Sequence, residues 1–409
     1  MGDKLYTIVE GGGVTTPKGF KAGGLHCGLK KTERHDLGVI VCEVPATAAA
    51  VYTTNLFQAA PLQVTRNALS EGGILRAVIV NSGNANACTG AQGDEDANTM
   101  QAKMAEALGV SKREVAVAST GVIGELLKMD RVIPGIAQLP SKLRDDEQGS
   151  DDFCQAILTT DLVKKVSCVS LMVNGRQVTI AGAAKGSGMI HPNMATMLGF
   201  VTTDANIGAP LLQELLREVT NVSFNMITVD GDTSTNDMLV AMASGLAENQ
   251  ELTRSHPDFQ AFTDGLRHVC SELAKAIARD GEGATKLIET TVIGAATDEA
   301  AQAIAKTIIG SSLVKSAVYG ADANWGRIIA AVGRAGQPVN VGTVDIRLGD
   351  ILVLEQSRPI PFDEEIALEY LKGDTVGINV NLNMGSGQAI AWGCDLTYDY
   401  VRINAAYRT

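Results

Sequence analysis

Positive charge is scarce in this sequence: 34 Lys and Arg stand against 46 Asp and Glu, a net charge of −12 over 409 residues. Nucleic acid and anionic membranes attract basic surfaces, so non-specific binding to either is not expected, although a local basic pocket for a small anion remains allowed. Aromatic residues make up only 4% of the chain, which disfavours stacking platforms for bases. No apolar run reaches the roughly 18 residues a membrane helix needs. The opening Met1-Gly-Asp-Lys-Leu-Tyr6 lacks the basic stretch and apolar run of a signal peptide, so a cytoplasmic protein is expected.

The seven cysteines (Cys27, Cys42, Cys88, Cys154, Cys168, Cys270, Cys394) include no CxxC. Their odd number and irregular spacing fit reduced, mostly buried thiols better than a disulfide framework or zinc ribbon. His26, His35, His191, His256 and His268 form no pair at metal-ligand spacing, so no metal is expected. Walker A, GxGxxG and GxSxG patterns are all absent. A His-dependent triad stays open, because its members need not be close in sequence, but no residue pattern favours one.

What is abundant is glycine, 43 residues, within a 45% hydrophobic composition suited to close backbone packing. The length suits two or three domains or one large α/β assembly. A Gly-rich loop, Gly11 to Pro17, opens the chain. Short β-branched runs at 37–44, 49–53, 76–81 and 114–118 read as strands, and 94–108 has helical spacing with acidic residues in its first turn. Val166–Val173 and Arg176–Gly182 flank Asn174-Gly175, the dipeptide best suited to a type I′ hairpin turn. Further strands are predicted at 197–203, 226–230, 287–294, 344–348, 351–354 and 377–381, and helices at 210–220 and 258–280. Strands and helices interleave throughout, so the class is α/β or α+β.

One segment stands out: Lys185-Gly-Ser-Gly-Met-Ile-His-Pro-Asn-Met-Ala-Thr196-Met-Leu. Gly186 and Gly188 open backbone conformations closed to other residues, Pro192 stiffens the approach, and Ala195 is small. A hydroxyl held in a strained turn can attack the carbonyl before it, giving an ester that water hydrolyses. The freed Thr would carry an α-amine of pKa about 8, a usable base at neutral pH that makes a catalytic His unnecessary. By residue types alone, the same segment also reads as a glycine loop entering a buried strand.

This segment resembles the cleavage-site signature of the ornithine acetyltransferase (ArgJ) family of arginine biosynthesis. Similar family blocks recur at Gly13-Val-Thr-x-Pro-x-Gly-Phe20, Val80-Asn-Ser-Gly-Asn-Ala-Asn-Ala87, Ala118-Ser-Thr-Gly-Val-Ile-Gly124 and Thr159-Thr-Asp161. Others are Val229-Asp-Gly-Asp-Thr-Ser-Thr-Asn-Asp237, Asp280-Gly-Glu-Gly-Ala-Thr285, Asn324-Trp-Gly-Arg327 and Tyr400-Val-Arg-Ile-Asn404 through Thr409. The resemblance covers essentially the whole chain; Ala323 departs from it where the family often has Pro. It implies a two-domain α/β sandwich with an N-terminal nucleophile. Cleavage at Ala195/Thr196 would give an α chain, 1–195, and a β chain, 196–409, assembled as an α2β2 heterotetramer.

By the same resemblance Thr196 is the nucleophile, accepting acetyl from N2-acetyl-L-ornithine and passing it to L-glutamate in a ping-pong transfer. Thr120 and Gly121 match the oxyanion hole, and Thr159, Lys185, Thr196, Glu282, Asn404 and Thr409 match the substrate contacts. Lys185 would meet a carboxylate and Glu282 the side-chain amine of ornithine. His191 is expected to be non-catalytic, and Asp230, Asp232 and Asp237 to hydrogen-bond rather than bind metal. No cofactor is implied; acetyl-CoA as a second donor stays open, since no CoA motif is visible. The alternatives are a self-processing aminopeptidase or amidase, whose acyl-enzyme meets water rather than an amine, and an uncleaved amino-acid-binding or structural protein.

Overall fold

The computed structural model describes residues 5–191 and 197–406. These residues form a mixed α/β structure with two sheets, as the interleaved pattern predicts. The nine-stranded sheet runs Thr7–Ile8, Lys165–Val173, Arg176–Lys185, Leu198–Thr203, Met238–Ala243, Leu37–Tyr52, Ile74–Asn84, Val115–Val122. Phe20–Leu25 joins it by pairing with the first half of Leu37–Tyr52, whose second half pairs with Met238–Ala243.

Leu37–Tyr52 is a single strand where the sequence predicts two. Pro45 cannot donate to a ladder, and the chain accommodates it by a register shift between Val41 and Ala46 against Ile74–Asn84. The hairpin of Lys165–Val173 and Arg176–Lys185 turns at Asn174 and Gly175, both at positive φ (48° and 70°), as a type I′ turn requires. The helix predicted from 94 starts earlier, at Gly90, so Asp94 and Glu95 lie beyond its first turn.

The seven-stranded sheet runs Arg358–Pro359, Ile351–Glu355, Asp345–Leu348, Thr375–Asn381, Leu287–Ala295, Gly387–Cys394, Ile227–Thr228. Only Ile227–Thr228 of the predicted strand 226–230 is paired. Helix Phe259–Arg279 packs on the hairpin of the first sheet and on Gly387–Cys394 of the second. One hydrophobic core therefore runs through both, from Val169 and Ile180 to Ile288 and Trp392. A second core covers the opposite face of the first sheet, where Phe153 meets Phe200 edge-on.

Five of the seven cysteines are buried, and Cys88 is exposed. No helix of the described residues is long and apolar enough to cross a membrane.

Candidate functional site

The ends of strands Val115–Val122, Arg176–Lys185 and Leu198–Thr203, the loops at residues 159–160, 186–190, 230–237 and 282, and the terminal helix line a cleft of about 170 Å³. Thr120, Gly121, Thr159, Lys185, Glu282 and Asn404, all singled out from the sequence, line it. Ala195, Thr196 and Thr409 lie outside the described residues, as does the boundary between the two expected chains.

Thr120 and Gly121 end strand Val115–Val122, which runs parallel to Ile74–Asn84. Gly121 has φ +135°, and a Cβ there would sit 2.3 Å from the carbonyl carbon of Gly83 and 2.4 Å from the nitrogen of Asn84. Only glycine permits that approach. Asn236 braces the strand from outside, its Nδ2 donating to the carbonyls of Ser119 (2.8 Å) and Ala85 (2.5 Å).

Lys185 ends the second hairpin strand, paired with Leu198. Its side chain is only 10% exposed, and its Nζ donates to Thr120 Oγ1 at 3.4 Å. Burial pushes this ammonium below the usual lysine range, against the opposing pull of Asp161, whose Oδ2 lies 4.0 Å away. Burial alone would raise Asp161; Lys185, Lys165 and the Gly186 N–H together hold it well below the usual carboxylate range.

Glu282 stands in the loop after helix Phe259–Arg279 and packs on Gly188, where a Cβ would come within 2.4 Å of its carboxyl group. Asn404, on the terminal helix Tyr398–Ala406, donates from Nδ2 to Glu282 Oε2 at 2.9 Å. Thr159 donates its backbone N–H to Asp161 Oδ2 at 3.0 Å. The cleft thus presents a buried cation, a hydroxyl beside it, and a carboxylate from a separate loop.

Asp230 lines the cleft and works as a hydrogen-bonding group. It accepts from the N–H of Met189 (2.7 Å), Ile190 (3.0 Å) and Asp232 (3.1 Å). Burial pushes its carboxyl upward against those donors. Thr233 Oγ1 donates to the carbonyl of His191 at 2.8 Å, and His191 Nδ1 lies 3.0 Å from Thr228 Oγ1. Residues 228–233 therefore grip 189–191, with Met189 held at φ +56°.

Sequence reasoning gave no role to Lys165, Asp161 or Asp280, which form a buried ion network behind the cleft. Asp161 and Asp280 belong to recurring blocks and so carried a signal. Lys165 carried none: in Lys164-Lys165 it looks like half of a solvated pair.

The sequence model of the ArgJ family matches residues 21–409. The arginine biosynthesis bifunctional protein ArgJ of Geobacillus kaustophilus is 59% identical over 404 residues, 98% of each chain. Its namesake in Halalkalibacterium halodurans is 60% identical over 402 residues, 98% of this chain and 97% of its own. Among solved structures, the crystal structure of the ArgJ protein of Bacillus halodurans superposes with a TM-score of 0.50 at 63% identity, covering 51% of this chain and 98% of its own.

Proposed function

The chain belongs to the ArgJ family, and from that premise we propose that it is a self-processing glutamate N-acetyltransferase of arginine biosynthesis. The Thr196 hydroxyl attacks the carbonyl of Ala195, the peptide shifts to an ester, and water hydrolyses it, leaving chains 1–195 and 196–409. The new α-amine of Thr196 then takes the hydroxyl proton as the oxygen attacks the acetyl carbonyl of N2-acetyl-L-ornithine. Thr120 and the Gly121 N–H receive the developing oxyanion, the C–N bond breaks, and the leaving amine of ornithine takes the proton. The amine of L-glutamate attacks the acetyl-Thr196 ester in the second half, regenerating the hydroxyl.

The observation that carries this reading is the pairing of opposite charges in one cleft: a buried Lys185 for a substrate carboxylate and Glu282 for the side-chain ammonium of ornithine. Neutral amide hydrolysis would need neither. The Bacillus halodurans crystal chain, matched over 98% of its length yet covering 51% of this one, has the length one product of such a cut would have. Acetyl-CoA serves as a second donor in this reading, and the two chains assemble as α2β2 in the cytoplasm.

Intact-mass spectrometry, with Thr196→Ala as control, tests the proposal. Two fragments joining at Ala195/Thr196, and one acetyl group on the larger fragment after addition of N2-acetylornithine, are expected. An uncut wild-type chain without an adduct would refute it, as would acetyl transfer by Thr196→Ala.

A further inference from the structure

We propose that Lys165 is a positioning residue for this site, a buried ammonium that fixes the two substrate-facing charges relative to each other without touching substrate. The inference rests on the acetyl-transfer reading above.

Lys165 opens the first hairpin strand, opposite Ala184, and its side chain is 0% exposed. Its Nζ meets Asp161 Oδ1 at 2.7 Å, Asp280 Oδ2 at 2.6 Å and the carbonyl of Val163 at 3.3 Å, so its three protons are all used. Each carboxylate then fixes backbone. Asp161 accepts from the N–H of Gly186 (2.6 Å) and of Thr159 (3.0 Å). Asp280 accepts from the N–H of Leu162 at 3.1 Å, while its carbonyl receives Ser187 Oγ at 2.7 Å. The Ser187 carbonyl in turn accepts from the N–H of Glu282 at 3.0 Å. The segments bearing Thr159, Lys185 and Glu282 are thus joined through one ammonium, which is not part of the cleft wall.

The charges add a second effect. Lys165, Lys185, Asp161 and Asp280 are buried together, with Lys30 acting on Asp161 and Lys185, and Asp237 and Glu282 acting on Lys185; Lys165 lies within 2.7 Å of both Asp161 and Asp280. Lys185 stays 4.0 Å from Asp161 and is free to turn its charge to the cleft. Without Lys165, the unbalanced Asp161 would draw Lys185 into a direct pair, because charges in a low-dielectric interior attract far more strongly than in water.

The test is steady-state kinetics on the processed full-length enzyme, with acetylornithine and glutamate varied separately. Lys165→Met is compared with the paired variant Lys165→Met/Asp280→Asn, which removes one charge of each sign and leaves no excess carboxylate. Both are expected to raise KM for both substrates about tenfold or more, with kcat changed less than about threefold. Both variants should also recover affinity as pH falls, since protonating Asp161 releases Lys185. A folded paired variant with wild-type KM overturns the proposal, and so does a loss confined to kcat. If neither variant folds and Lys165→Arg keeps wild-type KM, Lys165 serves folding alone and the proposal fails. Failure of the underlying reading looks different: the wild-type enzyme itself would not move acetyl from acetylornithine to glutamate.

Discussion

The two walls of the cleft are built in opposite ways. Lys185, Thr120 and Gly121 sit on the ends of sheet strands, backed by a sealed network in which Lys165 and Asp161 are 0% exposed. Glu282 and Asn404 sit on a loop and on a terminal helix, Tyr398–Ala406, in which no residue is buried. On the first wall the charges are desolvated, which magnifies small displacements; on the second, solvent screens the charge and the contacts can adjust. The strand-end wall should therefore govern both reactivity and the hold on a substrate carboxylate, and the helical wall affinity for acetylornithine alone.

The sharpest way to break this contrast is Gly121→Ala. A methyl group there meets only backbone, at a φ that side chains rarely adopt. Acetyl transfer should fall about 100-fold or more, the scale of losing one oxyanion donor, and Tm should drop by several degrees in calorimetry. Glu282→Ala should act on affinity instead, raising KM for acetylornithine about tenfold with kcat nearly unchanged. An unchanged KM would remove Glu282 from the site.

The next effect is a pH dependence. Lys185 must be protonated to hold a carboxylate, and burial lowers its pKa. The KM for glutamate should therefore begin to rise at a pH below that of an ordinary lysine and keep rising as the ammonium is lost. Lys185→Arg, which stays charged, should flatten that alkaline rise in a KM–pH profile, whatever its cost at neutral pH. The smallest effect is expected from Asn404→Ala, which removes one exposed hydrogen bond to Glu282 and should raise KM for acetylornithine only about twofold to fivefold by the same assay.

The difference between the walls also decided what could be read from the sequence. Groups that face the cleft occur in glycine-rich blocks, as in Ser119-Thr120-Gly121 and Asp280-Gly-Glu282, and these stand out by composition and by resemblance. Lys165 does not: Lys164, just before the strand, pairs with Asp151 at the surface, while Lys165, the strand's first residue, is fully buried. Met238–Ala243 (MLVAMA) was unassigned for a related reason. It lies mid-sheet with both faces buried, so it shows no alternation and cannot be told from a helical segment by period. Pro45 reads as a strand break, and only the tertiary register reveals that the chain bulges and continues. The Asn-Gly hairpin was legible because its conformation is set locally.

The strand order has a consequence for how the enzyme is made and lost. Leu198–Thr203 and Met238–Ala243 lie side by side in the middle of the larger sheet, flanked by Arg176–Lys185 on one side and Leu37–Tyr52 on the other. A cut between 195 and 196 would therefore divide the covalent chain but not the sheet, and the products would be interleaved like the fingers of clasped hands. Neither could diffuse away without breaking ladders on both sides of the inserted pair, and a separately expressed 1–195 would expose two raw sheet edges, an invitation to aggregate. Maturation would then be one-way and would have to follow folding, and the lifetime of the processed enzyme would be set by the unfolding rate of that sheet, not by a dissociation constant between its two chains.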